Sequence, residues 1–232
     1  MVTRRNGRRF ALIGAGAAVV AAGAVLAPQA FAETQPTRPG GVRAAAASNC
    51  ADVELVFARG TGEPQGLGIV GRPLARALAA ELPGKRVGSF AVVYAAAASQ
   101  ASAGPGATNM TQHITSVAAS CPGTEFVIGG YSQGASVTDI AMGIRGAGTR
   151  GQAIPANLAD RISAVVVFGN PLGLQRRTIA GSSAVFGPKA KEFCNTGDPV
   201  CGGGGNFAAH LAYPRNGSVQ QAARFAAGRI GG

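Results

Sequence analysis

The segment Phe126–Val137 constrains this chain more than any other. It reads FVIGGYSQGASV, a short apolar run that passes through Gly130-Tyr131-Ser132-Gln133-Gly134 into a stretch of small residues at helical spacing. A strand entering a helix through Gly-x-Ser-x-Gly makes one sharp turn. The serine sits at its apex in a strained backbone conformation, with its hydroxyl raised above a sheet. Gly130 and Gly134 are demanded by the same turn, because a Cβ at either place would strike the neighbouring strand or helix.

The flanking pattern supplies the sheet that such a turn needs. Val53–Ala58 (VELVFA) reads as a strand ending in Arg59-Gly60-Thr61-Gly62, and Val87–Tyr94 as a second. Phe126–Gly129, Ile162–Phe168 and Lys189–Phe193 read as three more. Between them, Arg72–Leu82 carries Leu74, Leu78 and Leu82 at i+4 spacing and stops at Pro83-Gly84. A loop rich in Ala, Ser and Gly is expected to run to Gly106. Helices are then expected over Thr108–Ser120 and Gln133–Arg145, and a short one over Val219–Gly228. Apolar strands alternating with helical patterns predict an α/β fold with a mainly parallel sheet, buried on both faces.

A serine hydroxyl is un-ionised at neutral pH and attacks nothing without a base. The chain has only two histidines. His113 precedes Ser132 on an expected helix and reads as a surface residue, while His210 follows it in a glycine-rich loop region. The strand–serine–helix arrangement calls for the order serine, acid, histidine, which His210 satisfies. Four acids lie between. Asp139 sits along the serine's own helix, too far from the turn. Asp160 precedes a strand, at the wrong end of the sheet, and Glu192 belongs to or borders one. Asp198 follows the last strand, inside the tight Cys194–Cys201 segment stiffened by Pro199. Ser132, Asp198 and His210 are therefore the candidate catalytic residues. A tetrahedral oxyanion would need N–H donors. The backbone of Gln133 and the loop after the first strand, where Thr61 adds a hydroxyl, are the candidates.

Residues 1–32 read as a signal peptide: a basic start with Arg4, Arg5, Arg8 and Arg9, an apolar Phe10–Leu26, and Ala30-Phe31-Ala32 at cleavage spacing. Residues 33–48, rich in Pro, Gly and Ala, are expected to be a disordered lead-in, leaving 49–232 as the folded domain. The mature protein is expected outside the cell. Cys50, Cys121, Cys194 and Cys201 fit that oxidising location and lack metal-ligand spacing. Three pairings exist, of which sequence proximity favours Cys194–Cys201 with Cys50–Cys121. The net charge of +11 raises the question of nucleic acid. The arginines beyond the leading segment are scattered, however, and no nucleic-acid motif accompanies them. No nucleic-acid partner is expected; weak association with an anionic envelope is compatible with the charge.

The motifs together resemble the cutinase family, the α/β-hydrolase group shared with acetylxylan esterases. They are Phe57-Ala58-Arg59-Gly60-Thr61-Gly62-Glu63, Cys121-Pro122, Gly129-Gly130-Tyr131-Ser132-Gln133-Gly134, Gly197-Asp198-Pro199-Val200-Cys201 and His210-Leu211-Ala212-Tyr213, in family order. The resemblance implies a compact α/β-hydrolase with a central five-stranded parallel sheet flanked by helices. It implies Ser132, Asp198 and His210 as a triad, Thr61 and Gln133 at an oxyanion hole, and disulfides Cys50–Cys121 and Cys194–Cys201. No cofactor or metal is implied. The function expected is a secreted serine esterase acting on carboxylic esters with short to medium acyl chains, including polyester or lipid esters, as a monomer. A polysaccharide deacetylase of the acetylxylan type is the alternative, and a non-catalytic envelope protein is the rival from another class. Two departures stand out. Thr61 occupies a position often held by Ser, and Gly202–Gly205 replaces an apolar stretch, which leaves Phe207 and Leu211 as the main apolar contacts for substrate.

Overall fold

The computed structural model describes residues 49–231. The expected signal peptide and lead-in, residues 1–48, lie outside the described residues. Five strands form one parallel sheet: β1 (Val53–Ala58), β2 (Val87–Ala91), β3 (Glu125–Tyr131), β4 (Ile162–Phe168) and β5 (Ala190–Phe193), in the order β2-β1-β3-β4-β5. The chain is thus an α/β fold with a five-stranded parallel central sheet. β3, which leads to Ser132, occupies the middle position.

Side chains alternate along each strand, so every strand feeds two cores. Leu55, Phe57, Val127, Val166 and Phe168 face α1 (Gly68–Glu81) and the closing helix, α6 (Ser218–Ala227). Val56, Ala58, Ile128, Val165 and Val167 face α2 (Ala103–Ser120) and α3 (Gln133–Ala141). All ten of these side chains are fully buried. Two short helices complete the chain: α4 (Ile179–Ser182) between β4 and β5, and α5 (Phe207–His210) between β5 and α6.

Several boundaries differ from those the sequence suggests. Helix α2 begins at Ala103, inside the stretch expected to be loop. Its glycines serve close packing: a Cβ on Gly104 would lie 2.0 Å from the Arg150 carbonyl, and one on Gly106 would lie 2.9 Å from Val137. Helix α1 begins at Gly68, ahead of Arg72, and carries Pro73 within it. Helix α3 stops at Ala141, well before Arg145, where Gly143 takes a left-handed conformation with φ +74°. Strand β2 ends at Ala91 rather than Tyr94. Beyond it the backbone is bonded by side chains, with Arg59 taking the Val92 and Tyr94 carbonyls and Asn109 the Val93 N–H.

His113 is not the surface residue the sequence suggests. Its ring is half-buried, stacked on Phe90 with centroids 3.5 Å apart, and its Nε2 lies 3.1 Å from Glu54 Oε2. It caps the sheet edge on the α2 side, away from Ser132.

Candidate active site

Everything that converges on Ser132 comes from the carboxyl ends of the strands, where a parallel α/β sheet presents its loops. Ser132 joins β3 to α3 with φ 57° and ψ −121°, a conformation rare for a residue with a Cβ. Its N–H bonds the Phe168 carbonyl at 2.8 Å, and its own carbonyl accepts from Ala135. The turn closes only because its glycines have no side chains. A Cβ on Gly130 would lie 1.9 Å from the Gly134 carbonyl oxygen, and one on Gly134 would lie 2.0 Å from that of Ala58. Strain of this kind persists where the surroundings over-determine it.

Asp198 and His210 both follow β5. Asp198 is fully buried, and its Oδ2 lies 2.9 Å from His210 Nδ1 while also accepting from the Tyr213 hydroxyl at 2.5 Å. Its Oδ1 accepts from the Val200 N–H at 2.7 Å, closing a turn inside the Cys194–Cys201 disulfide. The second disulfide joins Cys50 to Cys121, tying the entry to β1 to the end of α2. His210 is itself buried. Tyr131 stacks on the ring, with centroids 4.9 Å apart, and donates to the His210 carbonyl at 3.0 Å. Gly169, left-handed at φ 58°, also lies against the ring; a Cβ there would sit 2.6 Å from His210 Cε1 and 2.8 Å from Nδ1. Burial, above all, raises the phenols of Tyr131 and Tyr213 well above their usual range, so both stay protonated donors.

Ser132 and His210 line the same groove, of about 570 Å³, together with Thr61, Gln133, Ile69, Val200, Phe207 and Leu211. Among the hydrogen bonds of the described residues none joins Ser132 to His210, so the groove, not a bond, brings them together. Phe207 and Leu211 are 57% and 41% exposed, flanking His210 in and just after α5. Gln133 opens α3, so its N–H belongs to the first turn and has no partner within the helix. Its side chain is buried and donates to the Ala97 carbonyl at 2.8 Å. Thr61 is exposed on the facing loop, where its Oγ1 accepts from Gln100 at 3.2 Å.

That loop is pinned by two residues with no role assigned from the sequence. Arg59, buried, donates to the carbonyls of Glu63 at 2.7 Å and Tyr94 at 2.8 Å, and to Gln65 Oε1 at 2.9 Å. Glu63 accepts from the N–H groups of Gly60 at 2.6 Å and Ile69 at 2.7 Å. Both lie in the Phe57–Glu63 motif, so the signal was present; their partners lie across the fold or in the next helix. Tyr213 and Gly169 are likewise parts of the site that sequence reasoning did not single out. Asp139, considered and set aside as the acid, is buried in α3, where Asn170 Nδ2 reaches both its Oδ1 and Glu192 Oε1 at 3.3 Å. Burial pushes its carboxyl up to about 8. Among the described residues, no cluster of three His, Cys, Asp or Glu side chains is placed to hold a metal ion.

A Gly-x-Ser-x-Gly turn on the central strand of a five-stranded parallel sheet, facing a buried aspartate–histidine pair, is the architecture of the α/β-hydrolases. Within that class the chain belongs to the cutinase family, whose model matches residues 49–230. It is similar to a cutinase of Kineococcus radiotolerans, with 59% identity over 186 residues that cover 79% of this chain and 63% of that protein. The match therefore spans less than two thirds of that relative. Carboxylesterase Culp1 of Mycobacterium tuberculosis is 40% identical over 199 residues, covering 83% of this chain and 88% of that one. Among solved structures, a Trichoderma reesei cutinase in complex with a phosphonate inhibitor superposes with a TM-score of 0.63. It is 31% identical over 79% of this chain and 78% of its own. These relatives are named as a cutinase and a carboxylesterase.

Proposed function

We propose that this protein is a secreted serine esterase in which Ser132 is the nucleophile, His210 the general base and Asp198 the residue that orients His210. The observation that carries the reading is the buried 2.9 Å contact between His210 Nδ1 and Asp198 Oδ2, in a groove whose wall also holds a strained Ser132. Asp198 fixes the imidazole so that Nε2 is left to take the serine proton. Ser132 then attacks the ester carbonyl. The resulting oxyanion is held by the Gln133 N–H, with the Thr61 hydroxyl on the opposite side. His210 returns the proton to the leaving alcohol, and a water molecule, activated in the same way, frees the acid from the serine. The Ser132–His210 hydrogen bond forms as substrate fills the groove, since such bonds are commonly long in unliganded enzymes.

Ile69, Val200, Phe207 and Leu211 give the groove an apolar wall suited to short and medium acyl chains. Two disulfides support action outside the cell, in line with export by residues 1–32, and the reading needs no second copy of the chain. Hydrolysis of p-nitrophenyl esters from acetate to palmitate, by mature protein and by Ser132→Ala, tests the proposal. Activity peaking at butyrate to octanoate and lost in the variant is the expected result, with a fluorophosphonate labelling Ser132. A strong acetate preference would replace it with the deacetylase, and retained activity in Ser132→Ala would sink the assignment.

A further inference from the structure

The groove at Ser132 does not end at Ile69. Ile69, 47% exposed, and Glu63 also line a second hollow of about 410 Å³, whose remaining wall includes Pro64, Arg72, Arg76 and Pro214. The two hollows meet across that shared edge. Their chemistry differs: the reaction groove has no Lys or Arg on its wall, whereas the second hollow has two arginines.

Arg72 and Arg76 stand one turn apart on α1, the i,i+4 spacing that puts both side chains over one strip of helix surface. Both are exposed, and among the described residues neither guanidinium has a hydrogen-bonding or ion-pairing partner. Arg59 and Arg161, by contrast, direct their guanidinium groups to backbone carbonyls. Among the described residues that line this hollow, Glu63 is the one carboxylate. Both its oxygens are engaged by the Gly60 and Ile69 N–H groups, so it holds the loop in place and forms no ion pair with either arginine, and the two guanidinium groups outweigh its single negative charge on that wall. A guanidinium pair at the mouth of an apolar groove is matched by a planar or tetrahedral oxyanion, which it can grip through paired N–H donors.

We infer that Arg72 and Arg76 form a subsite for an anionic group, a carboxylate or a phosphate, that the ester substrate carries past Ile69. The inference rests on Ser132 being the nucleophile. The enzyme then selects esters with an apolar part in the groove and a negative charge at its far end. The ester bond itself is hydrolysed as for a neutral substrate.

Two matched pairs of esters test this, one for each side of the scissile bond. On the acyl side, p-nitrophenyl hexanoate is compared with mono-p-nitrophenyl adipate. On the alcohol side, 2-hydroxyethyl hexanoate is compared with its phosphate monoester, by titration of released acid. In Arg72→Gln/Arg76→Gln, the anionic member of at least one pair is expected to lose about fivefold or more in kcat/KM, carried by KM. That size corresponds to two exposed charge contacts. The neutral members are expected to keep their kcat/KM, and added salt should reduce the anionic preference of the unaltered enzyme. The subsite is overturned if neither anionic ester is affected, or if neutral and anionic esters fall together. Ser132→Ala run on the same four esters separates the two claims. Loss of all turnover there, together with no effect of the arginine replacements on either anionic ester, leaves the nucleophile standing and the subsite refuted, and survival of turnover refutes the nucleophile itself.

Discussion

The Tyr213 hydroxyl and His210 Nδ1 share one oxygen of Asp198, at 2.5 Å and 2.9 Å. Tyr213 is fully buried and edge-on to Phe168, so it is a fixed donor to the carboxylate. Removing the hydroxyl in Tyr213→Phe leaves Asp198 Oδ2 with His210 alone. We expect kcat to fall about tenfold at unchanged KM, the cost of about one buried hydrogen bond to a charged group. Steady-state kinetics with a p-nitrophenyl ester checks this, and full activity would show that Tyr213 is only a packing residue.

Gly169→Ala addresses the space beside the imidazole. The added methyl would meet His210 at 2.6 Å, and alanine disfavours φ 58° as well. The ring must move to admit it. A displacement near 1 Å is worth about a hundredfold in rate. The expected variant is folded by circular dichroism, retains Ser132, and has lost roughly that much kcat.

Asp139 gives a pH prediction. Its folded-state value near 8 lies above the ordinary 3.8, with burial as the first cause and Glu192 adding to it, while Asn170 and Arg177 oppose. Between those limits the folded protein holds a proton that the unfolded chain has released, so stability falls as pH rises through that window. Asp139→Asn keeps the acceptor for Asn170 and removes the titration. Urea unfolding at about pH 5 and about pH 9 should show the variant losing much less stability between them, a difference on the order of a few kcal/mol. Equal pH dependence in both proteins would contradict the raised value.

The two disulfides should separate stability from catalysis. Cys50–Cys121 closes a sequence separation of 71 and Cys194–Cys201 one of 7. Chain entropy assigns them about 4 and about 2.5 kcal/mol. Replacing the first pair by serine should therefore lower Tm more. Replacing the second should lower kcat more, because that loop carries Asp198. Thermal melts and kinetics on both variants measure the two effects.

The fold was legible because its signals are local. Val53–Ala58, Phe126–Gly129 and Ile162–Phe168 are apolar runs of strand length, and the turn at Ser132 announces itself by two glycines. Helix α2 shows where local signals mislead. Gly104, Pro105 and Gly106 read as loop, yet the glycines are there to let the helix approach Arg150 and Val137, partners far away in sequence. His113 misled for the same reason: its burial comes from Phe90 and Glu54 on neighbouring strands. Within the site, Ser132, Asp198 and His210 could be named from type and order. Tyr213, Gly169, Arg59 and Glu63 could not be given roles, since each acts on a residue or backbone group that only folding brings near.

Asp198, His210 and Tyr213 all lie in the stretch of chain between β5 and α6, at the edge of the sheet, whereas Ser132 rises from its centre. The acid and the base are thus bolted to each other by one short cassette, with Val200 and the Cys194–Cys201 link inside it. Any shift of that cassette carries the pair as a unit. The spacing most exposed to variation between relatives, or to an engineer's loop graft, is the one between cassette and serine, while the acid–base geometry travels intact.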